Sequence, residues 1–248
     1  MFLLLIFNYY CENVVYIIMK MKKSTFGCDP NICFLCKNVL KEWLPAILEH
    51  KKNFKVKKGE LIFKEGYPVT GIFFINTGYV KVHKRWDADK ELIVRFAKEG
   101  AILGHRGMGK NPIYPVSATA LQNGVVGYID MAFFEATLKV NADFTYKLLQ
   151  FFADELRESE RKMRNLAHMS VKGRVAESLI ILKEQFGLTD EGFINIELSR
   201  QDLASFAGAT YETVFRVINE LVNDKMLVLS GKRITISDFE KLVKLTQD

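Results

Sequence analysis

Apolar residues along this chain change period twice. Over residues 54–130 they come in short runs, LIF, GIFFINTGYVKVHKRW, ELIVRFA and VSATALQNGVVGYI, rich in β-branched and aromatic side chains. Gly59, Gly66, Gly78, Gly100, Gly104 and Gly124 punctuate them, as tight turns require. Many short strands with frequent turns predict a barrel, sandwich or roll. Alternation over residues 79–84 sends Val80 and Val82 inward and Lys81 outward, and makes His83 a strand-surface residue.

Residues 131–170 contain no Gly or Pro and follow the helical period. Leu149, Phe152, Leu156, Ser159, Met163 and Leu166 step by 3, 4, 3, 4 and 3, a single seam with one polar interruption. Asp154, Glu155, Arg157, Glu158, Glu160, Arg161, Lys162 and Arg164 surround it. A long helix charged everywhere except one stripe suits a two-stranded dimer interface of Leu149, Phe152, Leu156, Met163 and Leu166. Packing against its own domain is the alternative. Shorter helices are predicted at VLKEWLPAILEH, where Pro45 kinks the helix or starts its second turn, at KGRVAESLIILKEQFG, ending at Gly187, and at DFEKLVKLTQ. The run MLVLSGKRITIS alternates around Ser230 and Gly231 as a hairpin. The predicted class is α+β: an arm at 1–37, a β-roll at 38–140, a dimerisation helix at 141–168 and an α-rich domain at 169–248.

The segment LSRQDLASFAGATYETVFRVINEL, residues 198–221, carries the most specific pattern. Ser199 caps a first short helix, with Asp202 three residues on completing a capping box. Leu203 and Ala204 face inward, the small Ala204 lets two helices cross closely, and Gly208 permits the turn between them. Thr210 caps the second helix, whose Val214, Val217, Ile218 and Leu221 form the buried stripe. Tyr211, Glu212, Phe215, Arg216 and Asn219 are left pointing outward. This is helix-turn-helix geometry followed by a wing at residues 226–236, and the N-terminal half of such a second helix enters the DNA major groove. Arg216 can bond guanine through O6 and N7, Glu212 can accept from cytosine N4, Phe215 can lie on a thymine methyl, and Tyr211 completes the base-contacting row. Ser199, Arg200, Thr210 and Lys232, with Arg233, would stand near phosphates and set register. A plainer alternative makes Glu212 and Arg216 an exposed ion pair worth a few tenths of a kcal/mol, but it leaves Phe215 exposed without a reason. A rival from another class is a ligand- or metal-sensing module whose winged helix binds protein rather than DNA.

Composition sets outer limits. The 248 residues, 49% apolar and 26% charged, suit a globular protein of two domains, and a net charge of +6 favours anionic partners without deciding among them. The opening MFLLLIFNYYCENVVYIIMKMKK is interrupted by Asn8, Glu12 and Asn13 before reaching the about 20 apolar residues of a membrane span. Lys20, Lys22 and Lys23 follow that run instead of preceding it, unlike a signal peptide. The first 18 to 20 residues are therefore expected to lie upstream of the true start, at Met19 or Met21, or to form a poorly ordered tail. No membrane association is expected. Four cysteines, Cys11, Cys28, Cys33 and Cys36, all fall within the first 36 residues, which argues against a secreted disulfide framework and for the cytoplasm. No nucleophile with a spaced base, phosphate-cradling glycine loop or paired histidines is present; His50, His83, His105 and His168 stand apart, so an enzyme is not expected.

Together these segments resemble the bacterial transcription regulators typified by the cyclic AMP receptor protein and the fumarate and nitrate reduction regulator, the Crp/Fnr family. The likeness runs over about residues 38–240, through KKGELIFKEGYPVTGIFFINTGYVKV, the long helix and LSRQDLASFAGATYETVFRVI. It implies a cyclic-nucleotide-binding-like roll that senses an effector or redox signal, a homodimer on palindromic operators, and RNA polymerase as a further partner. Glu212 and Arg216 match the family's base-reading pair, whereas Tyr211 replaces the Arg of the cyclic AMP type. Nucleotide-binding members hold ribose and phosphate with a Gly-Glu and an Arg-Ser pair. The matching stretch here, GHRGMGKNPIYPVSATA, has His105 for the Glu and Tyr114 with Pro115 near the Arg-Ser place. Proline lacks an N–H for a phosphate, so cyclic AMP is not expected. Gly104, His105, Arg106, Tyr114 and Ser117 remain candidate effector-pocket residues, with a plain loop as the alternative. Oxygen-sensing members also carry an N-terminal cysteine cluster. Here CDPNICFLC supplies Cys28, Cys33 and Cys36, while the counterpart of the family's fourth ligand is Gly127, leaving Cys11 as the only substitute. The resemblance thus leaves the cofactor open: an iron–sulfur cluster, zinc, or thiols merely present or redox-active in a flexible arm.

Overall fold

The structure, a computed structural model, describes residues 21–87 and 90–247. Cys11 and the N-terminal apolar run lie outside the described residues, among which no helix is long and apolar enough to cross a membrane. Two compact units are present. One joins the described residues up to Lys84 with Val94–Ala153; the other joins Arg85–Ile93 with the chain from Asp154 onward.

The first unit holds strands β1 (Lys22–Lys23), β2 (Lys52–Val56), β3 (Leu61–Phe63), β4 (Gly71–Thr77), β5 (Val80–Arg85), β6 (Glu91–Ala97), β7 (Ile102–Leu103), β8 (Ser117–Ala120) and β9 (Gly124–Asp130), the β5 and β6 ends passing into the second unit. They form a five-stranded sheet, β1-β2-β9-β4-β7, and a four-stranded one, β3-β8-β5-β6. Phe54, Phe73, Ile75 and Val126 of the first sheet share one core with Phe63, Val80, Val82 and Ala118 of the second, which makes the roll. Strand β4 is buried on both faces, because Ile72 and Phe74 point the other way, onto Leu35, Ile47, Phe134 and Phe144. That is why GIFFINT reads as a continuous apolar run instead of alternating.

The roll is preceded by a 3-10 turn, Lys41–Trp43, and helix α1 (Leu44–His50), which Pro45 starts without kinking it. The long helical stretch divides at Asn141 into α2 (Met131–Val140) and α3 (Ala142–His168). Asn141 leaves helical geometry at φ −120° and ψ 79°, its Nδ2 donating to Thr137 O at 2.9 Å and its Oδ1 accepting from Leu40 N at 2.8 Å. A side-chain amide that competes for backbone partners ends a helix without Gly or Pro. His83 also departs from the expectation: it is buried, with Nε2 2.8 Å from Thr119 Oγ1 on the neighbouring β8. A strand hydroxyl within reach makes burial of the imidazole tolerable, and alternation cannot register that.

The second unit contains α4 (Val171–Phe186), α5 (Arg200–Ala207), α6 (Tyr211–Asn223), the hairpin β10 (Leu227–Ser230) and β11 (Arg233–Ile236), and α7 (Phe239–Lys244). Helix α4 is capped by Ser170 and stops at Gly187, with Val175, Leu179, Leu182 and Phe186 buried. In the hairpin Ser230 pairs Arg233, so Gly231 and Lys232 form the two-residue turn, one position later than the sequence suggests. Gly231 supplies the positive φ, 61°, that a two-residue hairpin turn needs.

Helix α3 shows two faces. Tyr146, Leu149, Leu156 and Met163 are 61%, 64%, 60% and 64% exposed. Phe152, by contrast, packs partly on the first unit's core, and Leu166 lies against Gly208. The uncovered stripe therefore runs through Tyr146, Leu149, Ala153, Leu156, Glu160 and Met163, and Phe152 and Leu166 turn inward from it.

Candidate nucleic-acid interface and thiol cluster

The helix-turn-helix is fastened from both ends. Ser199 Oγ accepts from Asp202 N at 2.9 Å and donates to Asp202 Oδ2 at 2.6 Å, and Thr210 Oγ1 accepts from Thr213 N at 3.3 Å. These caps satisfy N–H groups that a helix start leaves unpaired. Gly208 is left-handed, φ 63° and ψ 46°. A Cβ there would overlap the Leu166 side chain, so Gly208→Ala meets both a clash and backbone strain. It should cost about 1–3 kcal/mol of stability, read as a lower Tm in thermal unfolding.

One clamp was not anticipated. Arg174 of α4 donates from Nε to Ala207 O at 2.9 Å, from Nη1 to Met169 O at 2.7 Å and from Nη2 to Gly208 O at 3.3 Å. It binds the last carbonyl of α5 and the turn to the start of α4. Nothing in the local sequence marks this arginine among the others.

On α6, Val214, Val217, Ile218 and Leu221 are buried, while Tyr211, Glu212, Phe215, Arg216 and Asn219 face outward. Phe215 is 49% exposed, and its ring stacks on Tyr211 at 6.1 Å with 14° between planes. Arg216 turns away from Glu212 and pairs with Glu220, Nη1 to Oε1 at 2.8 Å, so the expected Glu212–Arg216 pair is replaced by one a turn further on. Glu220 also has Lys172 Nζ at 3.6 Å, which leaves it a cation whenever Arg216 swings to another acceptor.

The flanking cations divide. Lys232 is exposed at the tip of the wing. Arg233 is engaged by Glu191 and stacks on the Phe193 ring at 4.3 Å. Arg200 reaches the wing turn, donating to Gly231 O at 3.2 Å and Lys232 O at 3.5 Å, and burial pulls its pKa down. It therefore positions the wing in addition to offering charge. Arg200→Ala should lower affinity for specific and random duplexes by a similar factor, about tenfold, and flatten the salt dependence, measured by gel shift across salt concentrations.

In the roll, the candidate effector residues are mostly packed. Tyr114 is buried, stacked on Phe63 at 4.3 Å, and its hydroxyl donates to Gly71 O at 2.8 Å. Gly104 takes a left-handed φ of 86°, and a Cβ there would lie 3.1 Å from the Tyr114 ring. His105 is buried edge-on to Phe151 and Phe152 at 5.2 and 5.3 Å. Ser117 Oγ accepts from Glu65 N at 3.0 Å, and Arg106 is half-buried. These side chains fill the interior with aromatic surface more than they line a polar cradle.

The cysteines are not in a flexible arm. Cys33 and Cys36 are buried with Leu35 in the core beneath β4, and the loop is tied by Cys33 N to Asp29 O at 2.9 Å and Phe34 N to Gly100 O at 2.8 Å. Cys28, Cys33 and Cys36 place their sulfurs within 4.8 Å of one another, close enough to bind one metal ion. Sequence reasoning missed their neighbour, Lys51. Its Nζ lies 3.0 Å from Cys28 Sγ and 3.3 Å from Cys33 Sγ, and the residue is only 7% exposed. Hydrogen bonds from the Cys28 and Cys36 thiols, with the Lys51 charge, pull the Cys33 pKa down; its bonds to Cys28 and Cys33 push that of Cys36 up. Burial works against the Lys51 charge, but the Cys33, Cys36 and Cys28 sulfurs outweigh it and raise its pKa.

An iron–sulfur cluster held by four thiolates does not fit the described residues. They supply three, and the strand position opposite carries Gly127, where a Cβ would overlap Lys51 Cε and stand 3.2 Å from the Asn53 and Asn76 side-chain oxygens. The Lys51 side chain fills the space a fourth ligand on Gly127 would need.

Residues 53–141 match the cyclic nucleotide-binding domain, and residues 173–245 match the Crp-like helix-turn-helix domain. The chain is 30% identical over 185 residues to the anaerobic regulatory protein of Bacillus subtilis (strain 168), covering 73% of this chain and 78% of that one. It is 27% identical over 198 residues to the transcriptional activator protein anr of Pseudomonas aeruginosa, covering 79% and 80%. FixK2 from Bradyrhizobium japonicum superposes with a TM-score of 0.70 at 26% identity, covering 79% of this chain and 96% of that one. With both domain matches in order along one chain and a relative similar across most of its length, the protein belongs to the Crp/Fnr family of transcription regulators and carries that family's helix-turn-helix DNA-binding domain.

Proposed function

We propose that the protein is a homodimer that binds palindromic operators, with Glu212, Phe215 and Arg216 touching base edges in the major groove and Tyr211 at the outer edge of each half-site. The observation that carries this is the outward row on α6: an aromatic and a guanidinium left in solvent on a helix whose other face is buried and whose start is capped and clamped. Arg216 exchanges Glu220 for guanine, and Glu220 keeps Lys172. Lys232, Arg200 and the Ser199 and Thr210 helix starts lie toward the phosphates. Pairing uses Leu149, Leu156 and Met163 of α3, joined by Tyr146; Phe152 and Leu166 support the helix from behind.

In this reading residues 38–140 sense, 141–168 pair and 169–248 bind DNA, in the cytoplasm, with RNA polymerase as the further partner. The signal is not cyclic AMP, because Tyr114 and Phe63 occupy the roll interior and Pro115 replaces a phosphate donor. Of the metals, zinc on Cys28, Cys33 and Cys36 would require Lys51 to leave, and a cluster lacks its fourth thiolate among the described residues. Selection of bound fragments from a genomic library by the purified protein tests the reading: enrichment of an inverted repeat supports it, and enrichment of nothing refutes it.

A further inference from the structure

We propose that Cys28, Cys33, Cys36 and Lys51 form a hydroperoxide-reactive thiol site in which Cys28 and Cys36 close to a disulfide. The buried lysine sets the chemistry: an ammonium removed from water is stable only beside a compensating charge, and Lys51 Nζ donates to two sulfurs, backed by the Phe74 ring at 5.0 Å. The other polar groups converging here, the Asn53 and Asn76 side chains, are neutral and bonded to each other at 2.8 Å. The compensating charge can therefore come only from the sulfurs, and Cys33, 3.3 Å from Lys51 Nζ, is the one whose pKa its surroundings pull down. Thiolate is the nucleophilic form of cysteine, and a lysine beside it holds it in that form near neutral pH.

Position assigns the roles. Cys33 and Cys36 are buried, whereas Cys28 is partly exposed, so a small hydroperoxide meets Cys28 first. As Cys28 passes its proton to Cys33, its sulfur attacks the peroxide oxygen; the O–O bond breaks, the departing hydroxide or alkoxide takes that proton from Cys33 and leaves as water or alcohol, and Cys28 becomes a sulfenic acid. Cys36 Sγ stands 3.5 Å from Cys28 Sγ. Its thiol attacks the sulfenic sulfur, an S–S bond forms, and the hydroxyl departs with the Cys36 proton as water. In sum, two thiols lose two electrons and the peroxide gains them. Cys33 remains as the thiolate facing Lys51, so the product does not strand a buried cation. Lys51 is a positioning residue, acting through the sulfurs it faces. None of this depends on what the second unit binds.

The experiment uses the full chain, and the same chain with Cys11→Ser, reduced, freed of metal with chelator and desalted under nitrogen. One equivalent of hydrogen peroxide should remove two thiols per chain, and peptide mapping should find Cys28 linked to Cys36, reversed by dithiothreitol. Cys36→Ser should instead accumulate a Cys28 sulfenic acid that a dimedone probe captures. Lys51→Met should slow the reaction at neutral pH at least about tenfold and move its pH midpoint up toward about 8.5, the ordinary thiol value. Lys51→Arg should restore most of the rate. Oxidation that leaves Cys28 and Cys36 unlinked, or a Lys51→Met protein with unchanged rate and pH profile, would overturn the proposal. So would a metal ion that survives chelation and shields all three thiols.

Discussion

Replacing Leu149 and Leu156 together by glutamate is expected to leave the protein monomeric and to reduce operator affinity by about a hundredfold or more. Both side chains are mostly exposed on α3, so the protomer loses little packing when they change, and glutamate is a good helix former. In a two-stranded seam the pair is counted twice. At about 1.5–3 kcal/mol for burying a whole leucine, and with 64% of Leu149 and 60% of Leu156 left to cover, four of them contribute about 4–7 kcal/mol to association. Four introduced carboxylates oppose it further, since like charges in a closed seam must shed water without a partner. A monomer presents one recognition helix, and the affinity added by the second half-site disappears. Sedimentation and gel shift read the two effects, and an unchanged Tm of the separated protomer distinguishes lost pairing from lost folding. A double variant that remains dimeric would place the interface elsewhere.

The second large effect falls on Arg216. Arg216→Ala should weaken the operator by about 1–3 kcal/mol, roughly 5- to 150-fold, while leaving random duplex nearly unchanged. Its side chain is 67% exposed and its partner Glu220 retains Lys172, so removal costs the folded protein little. The loss therefore reports on base contact, not on stability. Equal losses on operator and random DNA would reduce Arg216 to a phosphate contact. The contrast with Arg200 is the useful control, because Arg200 holds the wing turn and should affect both duplexes alike.

What was legible in the sequence was whatever acts within a helical turn or a strand repeat. The caps Ser199 and Thr210, the left-handed Gly208, the stripe from Val214 to Leu221 and the inward Val80 and Val82 each follow from neighbours a few residues away. Contacts between distant segments were not legible. Lys51 meets the cysteines because the junction of α1 and β2 passes under their loop, and no spacing within CDPNICFLC points to it. Arg174 and Arg200 look like surface cations until the turn and the wing are placed beside them. On α3 the helical period places Leu149, Leu156 and Met163 on an exposed side. Phe152 and Leu166 share that period, but the contacts they make, with the first unit's core and with Gly208, join segments far apart in the chain and leave no local mark.

Operator recognition depends on two copies of the α6 face engaging one duplex together. Footprinting the purified protein on a selected fragment tests that most directly. The expected result is protection of two half-sites related by inversion, with centres about 34 Å apart on one face of the helix, lost together in the Leu149→Glu, Leu156→Glu variant. A single protected half-site, unaffected by that double change, would contradict it.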